Sequence, residues 1–455
     1  HQQLNNGGIN PQNPGYDAFL TKFDNDGQRV WSTYYGGTGY DFGNSIALDG
    51  SGNIYLGGLT QSTQNIASAG AFKTAFSGNN DVFFAKMNSQ GQRIWGTYYG
   101  SGGNDSLGGI TFNNNMLYLT GGTNSQSGIA TWGCWLYNFQ GVMDIFLAKF
   151  NPDCQQMWST YYGGSSYDMA NDIQFLSSGE IIIAGATESS SNIASSGSSQ
   201  GALAGGRDGF IARFNQEGNR IWASYLGGTA NDLINRISID NNNGFAVTGE
   251  TFSNSAFATT NSYQTTNGGG SDAFITHYTV QGTKDWGSFY GGTNNEIGLG
   301  IAFDNTQNYV VVGSTLSTNQ IATNGAYQTI NRGTGDAFVA KFNLSYSNTI
   351  TTTQFSGAYC SGAIFNVSYS VNEPFFAGNV FTAQLSDANG NFTNPVNIGT
   401  LSSLTSGTIN VTIPLNTISG TNYRIRVIGS NPYIIGSNNG NNLSIQQKPV
   451  PVITG

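Results

Sequence analysis

Charge is scarce in this chain of 455 residues: Asp, Glu, Lys and Arg together make up 9% of it, against roughly a quarter of an average soluble domain. The 16 Lys and Arg residues are spread singly and the net charge is −9. No basic stripe exists to neutralise phosphates, which excludes a nucleic-acid partner. Cysteine occurs three times, as Cys134, Cys154 and Cys360, with no CxxC or Cys/His spacing for zinc. Nowhere does an apolar run approach the ~20 residues of a membrane-spanning helix. The first residues hold no charged-then-apolar leader, so an exported form would carry its signal outside this sequence. What is abundant argues for a packed chain with many turns: 13% aromatic residues and 64 glycines, where a disordered chain would have fewer rings and more charge.

The aromatic residues are not scattered. RVWSTYYGG at 29–37 returns as RIWGTYYGS, QMWSTYYGG, RIWASYLGG and KDWGSFYGG. The tryptophans are Trp31, Trp95, Trp158, Trp222 and Trp286, a period of 63 or 64 residues, and a period that regular is the mark of a repeat architecture. Each period carries four runs of strand length; in the first they are DAFLTKF (17–23), RVWSTYY (29–35), SIALD (45–49) and NIYLGGLT (53–60). They alternate apolar and polar residues, are rich in Ile, Val, Phe, Tyr and Trp, and are bounded by turn sequences such as DNDGQ and DGSGN. The spacing predicts an all-β chain of four-stranded units, the blades of a β-propeller, over 17–343. The Trp supplies a large apolar surface between blades. The D-x-F run occurs six times and the others five, giving 21 strands. A five-bladed ring closed by pairing N-terminal with C-terminal strands is the favoured arrangement, six blades with one incomplete the second.

The stretch DAFLTKFDNDGQRVWSTYYGGTGYDFGNSIALDGSGNIYLGGLT resembles the bacterial beta-propeller repeat family called SBBP, through its D-A-F, W-S-T-Y-x-G-G and G-N-x-Y strings. The resemblance covers 17 to about 343, implies a propeller in an exported or surface protein, and brings no catalytic residues. After Phe342 tryptophan disappears and about seven strand runs follow between 349 and 447. That number suits an immunoglobulin-like sandwich over 344–447, with Tyr423 placed as a tyrosine corner would be. This part is similar to Ig-like modules of Bacteroidota surface proteins that use type IX secretion. Residues 1–16 read as a lead-in and 448–455 (ending PVPVITG) as a linker to a further module.

Several residues invite a chemical reading. Two sets of carboxylates recur with the period: Asp17, Asp81, Asp144, Asp208, Asp272 and Asp336, and then Asp41, Asp105, Asp168, Asp232 and Glu296. Both read first as acceptors for turn N–H groups and only second as cation ligands around a channel. DNDGQ at 24–28 and DANGN at 387–391 are fragments of a calcium loop without its full ligand set; no cofactor is expected, Ca2+ being the only weighed exception. The two histidines are His1 and His277, the latter where other copies have Lys or Arg, so a Ser-His-Asp or Cys-His site has little to be built from. A TWGCWLYNFQGVM stretch at 131–143 reads as an insert. Its Trp132, Trp135, Tyr137 and Phe139 either stack on sugar rings or plug one blade. Cys134 and Cys154 are either a disulfide or two separate thiols. Asp105-Ser106-Leu107 matches the short D-S/T-aliphatic acceptor pattern of Bacteroidota O-glycosylation, at Ser106.

Repetition without a catalytic constellation leads to a non-enzymatic, extracellular or outer-surface modular protein of a Gram-negative bacterium. It would act in adhesion or recognition, with a cell-surface glycan, a protein or another copy as partner. A structural stalk or filament subunit is the first alternative and a polysaccharide-active enzyme the second.

Overall fold

The computed structural model describes residues 15–260, 262–304, 308–343, 348–375, 379–430 and 433–448. His1, the lead-in up to residue 14 and the tail from 449 lie outside the described residues. The chain divides into two compact units, His1–Asn343 and Leu344–Gly455.

The first unit is built of β-sheets in chain order. Strands β1 (Ala18–Phe23) and β2 (Arg29–Tyr35) pair alone, as blade I. Blade II holds β3 (Asp41–Leu48), β4 (Ile54–Thr60), β5 (Asp81–Met87) and β6 (Arg93–Tyr99). Blade III holds β7 (Asp105–Asn113), β8 (Met116–Thr123), β9 (Asp144–Phe150) and β10 (Gln156–Tyr162). Blade IV holds β11 (Asp168–Phe175), β12 (Ile181–Thr187), β13 (Asp208–Phe214) and β14 (Arg220–Leu226). Blade V holds β15 (Asp232–Ile239), β16 (Phe245–Thr251), β17 (Asp272–Tyr278) and β18 (Lys284–Tyr290). Blade VI has three strands, β19 (Glu296–Phe303), β20 (Asn308–Thr315) and β21 (Asp336–Asn343). The expected closure by pairing N-terminal with C-terminal strands is not what the sheets do. β1 pairs with β2 alone, and β20 pairs with β21, the surplus D-x-F strand.

Blade joins blade through apolar faces that alternate along each strand. In blade II, Val82 and Phe84 face blade III, where they meet Phe146, Ala148 and Phe150; Phe83, Ala85 and Met87 face back to Ala18, Leu20 and Tyr35 of blade I. Each first strand packs on the next, β3 on β7, β7 on β11, β11 on β15 and β15 on β19. Among the described residues no comparable packing joins β19 back to β3, so the run of blades is open.

Three devices fix the register. A one-residue bulge in the first strands re-aims Asn44, Asn171 and Asn235. Their amides donate to Leu107 O, Ile234 O and Gly298 O of the next blade at 2.8–3.0 Å. Opposite the bulge the second strand requires glycine: a Cβ on Gly58 or Gly121 would stand 1.8 or 1.9 Å from a carbonyl oxygen. Finally, Trp31, Trp95 and Trp158 donate their indole N–H to the hairpin turn of the following blade, at Ser89 O, Pro152 O and Gln216 O.

The second unit has ten strands where seven runs were expected: β22 (Ile350–Thr352), β23 (Phe355–Cys360), β24 (Ile364–Val371), β25 (Val380–Leu385), β26 (Val396–Ser402), β27 (Gly407–Thr412), β28 (Gly420–Tyr423), β29 (Ile425–Ser430), β30 (Tyr433–Asn438) and β31 (Gly440–Gln446). Seven form one sheet in the order β26-β25-β29-β30-β22-β24-β27, and β23-β31-β28 form another. End strands β26 and β27 touch, so the large sheet curls round a core that includes Val367, Phe381, Ile409, Val427 and Leu443. The Tyr423 hydroxyl donates to Ile418 O at 2.9 Å, the backward bond of a tyrosine corner.

Candidate functional site

The recurring carboxylates form one repeated structure. Asp81, Asp144, Asp208 and Asp272 are fully buried at the start of the third strands. They accept N–H groups of the segment leading into that strand: Ser77, Gln140, Ala204 and Gly268, at 2.7–3.0 Å. The second set sits one loop away. Asp105 accepts the Ser101 N–H at 2.9 Å and the hydroxyls of Thr123 and Ser125. Asp41, Asp168 and Asp232 repeat the pattern, and Glu296 does so with Thr315. The two sets meet beneath the glycine that ends the Tyr-Tyr strand: a Cβ on Gly100 would lie 2.4 Å from Asp105 and 2.7 Å from Asp81. Burial raises Asp81, Asp105, Asp144 and Asp272 above their ordinary range, the last two to about 6. They fasten loops to strands, as their turn-acceptor reading had it.

One blade departs from its siblings. Lys73 is paired with Asp81 at 3.0 Å, and Gln200, Gln264 and Gln328 donate to Asp208, Asp272 and Asp336. Leu136 holds that place in blade III, so no side chain from there reaches Asp144 Oδ2; Oδ1 lacks a partner in Asp144 and in Asp272 alike. The stretch around Leu136 is no insert, and this corrects the reading of 131–143: Ile129 to Asp144 is as long as Ile66 to Asp81. It is the ordinary connecting segment with aromatic residues substituted into it.

The four aromatics part company. Trp135 and Phe139 point inward. Trp135 packs on Tyr162 and Phe214 under the Arg220 guanidinium, 4.8 Å from its ring, and Phe139 packs edge-on to Tyr161. Trp132 and Tyr137 point out. Trp132 is 91% exposed and stands edge-on to the half-exposed Tyr137, centroids 5.9 Å apart. Their places hold Ala69 and Thr74, Ser196 and Gly201, Thr260 and Thr265, and Asn324 and Thr329 in the other blades.

Cys134 and Cys154 are free thiols, not a disulfide. Cys154 occupies the turn position that is Gly27, Gly91, Gly218 and Gly282 elsewhere, and holds their left-handed backbone at φ 66°. From there its side chain is buried among residues of blades II and III, away from a partner in the 131–143 segment. Ser106 lies inside the β7–β8 ladder opposite Gly122 and is half-buried. Asp24 and Asp387, in the two calcium-like fragments, each accept two N–H groups of their own turn.

Sequence reasoning passed over one cluster. His277 is 2% exposed, its Nδ1 2.6 Å from Asp285 Oδ1 and its Nε2 2.9 Å from Asp240 Oδ2. Burial alone would push the imidazole down; hydrogen bonds and charge from both carboxylates override it and raise it to about 9. The ring also faces Tyr309 of blade VI, so its charge bears on the packing of blade V on blade VI. The signal available was the exchange of Lys86, Lys149 or Arg213 for His at one repeat position.

Comparison with known proteins agrees with the strand pattern. Residues 30–65 match the SBBP beta-propeller repeat model. That stretch runs from the fourth strand of blade I through the second strand of blade II, and the 63- or 64-residue spacing of the tryptophans continues beyond it to Trp286. A curated relative, the regulatory protein FlaEY of Caulobacter vibrioides, is 24% identical over 257 residues. The alignment covers 51% of this chain and 25% of FlaEY.

Proposed function

We propose that the protein is a non-enzymatic recognition module at the outer surface of, or secreted by, a Gram-negative bacterium, with SBBP blades presenting the contact surface and an Ig-like unit following them. The Bacteroidota setting and type IX export belong to the same proposal. The carrying observation is the Trp132–Tyr137 pair: two rings standing in solvent, in one blade only, on a segment pinned beneath by Trp135 and Phe139. An exposed ring pair on a rigid support is suited to stacking on the apolar face of a sugar. The test is a glycan array probed with the whole chain and with Trp132→Ala/Tyr137→Ala. Binding by the first and not the second supports the reading; no binding by either, or equal binding by both, removes it. The structural-stalk reading is favoured by a separate observation, the uncovered faces at the two ends of the blade stack.

A further inference from the structure

Blades III, IV and V cover both of their faces; blade II leaves part of its backward face bare, and blades I and VI each leave one face uncovered. Phe83, Phe146, Phe210 and Phe274 are at most 1% exposed, whereas their counterpart Phe19 in blade I is 69% exposed. Ile110, Ile173 and Ile237 are buried, whereas Ile46 is exposed, as is Leu48 beside it. At the other end, Phe84, Leu147, Ile211 and Ile275 are fully buried and their counterpart Val339 is 72% exposed. Where Asn44, Asn171 and Asn235 reach for the next blade, blade VI carries Leu299, exposed. The uncovered surfaces differ: blades I and II show the face that elsewhere looks backward, blade VI the face that elsewhere looks forward.

The strand inventory is complementary too. In blades II–V the connecting segment crosses the outer edge of the fourth strand through backbone bonds: Ser68 N to Gly96 O, Thr131 N to Ser159 O, Ser195 N to Ala223 O and Thr259 N to Gly287 O, all 2.8–2.9 Å. Blade VI has the equivalent segment, 316–335, held by Gln328 and the Arg332 N–H on Asp336 and by the Tyr290 hydroxyl on Ile321 O. Among the described residues no fourth strand lies beneath it; the place is an open cleft lined by Ser317, Ile321, Tyr327, Gln328, Ile330 and Ala337. Blade I is the reverse, a third and fourth strand without a first and second. Its β1 run DAFLTKF differs from the β21 run DAFVAKF only at Leu20/Val339 and Thr21/Ala340.

We propose that the β1–β2 hairpin of one copy completes blade VI of another, so that copies join head to tail. β1 displaces its near-twin β21, which pairs with β20 in the single copy, and β2 enters the cleft under 316–335. Phe19 and Phe23 then occupy the sites of Phe338 and Phe342, and Ile46 and Leu48 of the incoming copy meet Leu299 and Val312. Each contact repeats one already made between neighbouring blades, so the joint continues an interface the fold has built several times. The contact is heterologous and propagates rather than closing on a pair. A second copy is the occupant because the chain's own hairpin is packed on blade II at the far end of an open run.

The test uses the full chain with Cys134→Ser, Cys154→Gly and Cys360→Ser. Ser32 and Thr323 are the counterparts of Ala223 and Ser195, whose backbones are bonded. A protein carrying only Ser32→Cys is mixed with one carrying only Thr323→Cys under mild oxidation; Ser195→Cys/Ala223→Cys is the within-blade control. A 32–323 disulfide dimer in the mixture, and a ladder of oligomers from the double variant, are expected. A double variant that yields only an internally linked monomer means the ring closes within one chain and overturns the proposal. So does the absence of any 32–323 link when the control pair forms, which leaves the slot to another protein's strand. Phe19→Asp should weaken association roughly 100-fold without unfolding the chain, because Phe19 is exposed in the single copy. Unchanged association by sedimentation would also overturn it.

Discussion

Blade III and blade I are written in nearly the same letters and live under different constraints. DIFLAKF and DAFLTKF share Asp, Phe, Leu, Lys and Phe at matching positions. Yet Phe146 is sealed between two sheets while Phe19 stands in solvent. The strand pattern is therefore a local property and burial a property of neighbours: a blade acquires its stability from the sheet on either side, as repeat architectures do. Because its residues look conventional, an end blade is not recognisable as one from its own sequence.

The difference can be broken experimentally at several levels. Phe146→Ala should cost about 3–5 kcal/mol and Phe19→Ala less than ~0.5 kcal/mol, read from denaturant melts of the whole chain; equal costs would mean that blade I is covered in solution. Lys73→Leu, which gives blade II the residue blade III already carries, strands the buried Asp81 and should cost about 2–4 kcal/mol, with Lys73→Gln restoring most of it. Acidity should separate the V–VI junction from the rest. His277 is raised in the folded chain, so its contribution is complete below its ordinary pKa of 6.5 and is lost as the pH rises through about 9. The raised Asp144 and Asp272 act in the same direction lower down, losing stability between the ordinary carboxylate range and about 6. The melting temperature should therefore fall from pH 5 to 9, and His277→Gln should flatten the part above 6.5 while leaving the lower part. Smallest of all, Trp132→Ala should move stability by less than ~0.5 kcal/mol, and its effect should appear only in ligand binding.

The strands of the first unit were legible because alternation, turn residues and a fixed period all point the same way. In the second unit β23, β28 and β30 escaped: β28 is only four residues, and Gly357 and Gly436 interrupt β23 and β30. For the aromatic segment the information was present and misread. Counting from Ile129 to Asp144 shows that nothing is inserted, and Cys154 aligns with a run of turn glycines that a pairing with Cys134 would have had to ignore. The inward and outward division of Trp135 from Trp132 was not legible, since it depends on Tyr162, Phe214 and Arg220 arriving from later in the chain. The His277 cluster draws Asp240 from 37 residues upstream, and the open end of the stack is a fact about what fails to meet. The first shows in the sequence only as a His where other copies have Lys or Arg, and the second leaves no mark on any short window.

The hook that Trp31, Trp95 and Trp158 drop into the turn ahead has a mechanical meaning. Successive blades are tied to one another by one apolar face, with an indole added at three joints and a bulge amide at three, and to nothing further along. Tension on the two ends therefore loads these ties in series, and the weakest gives first while the others hold. Each release frees one period of 63 or 64 residues, about 200 Å of extended chain. A molecule anchored at one end and pulled at the other would lengthen in steps of that size and dissipate force at each one.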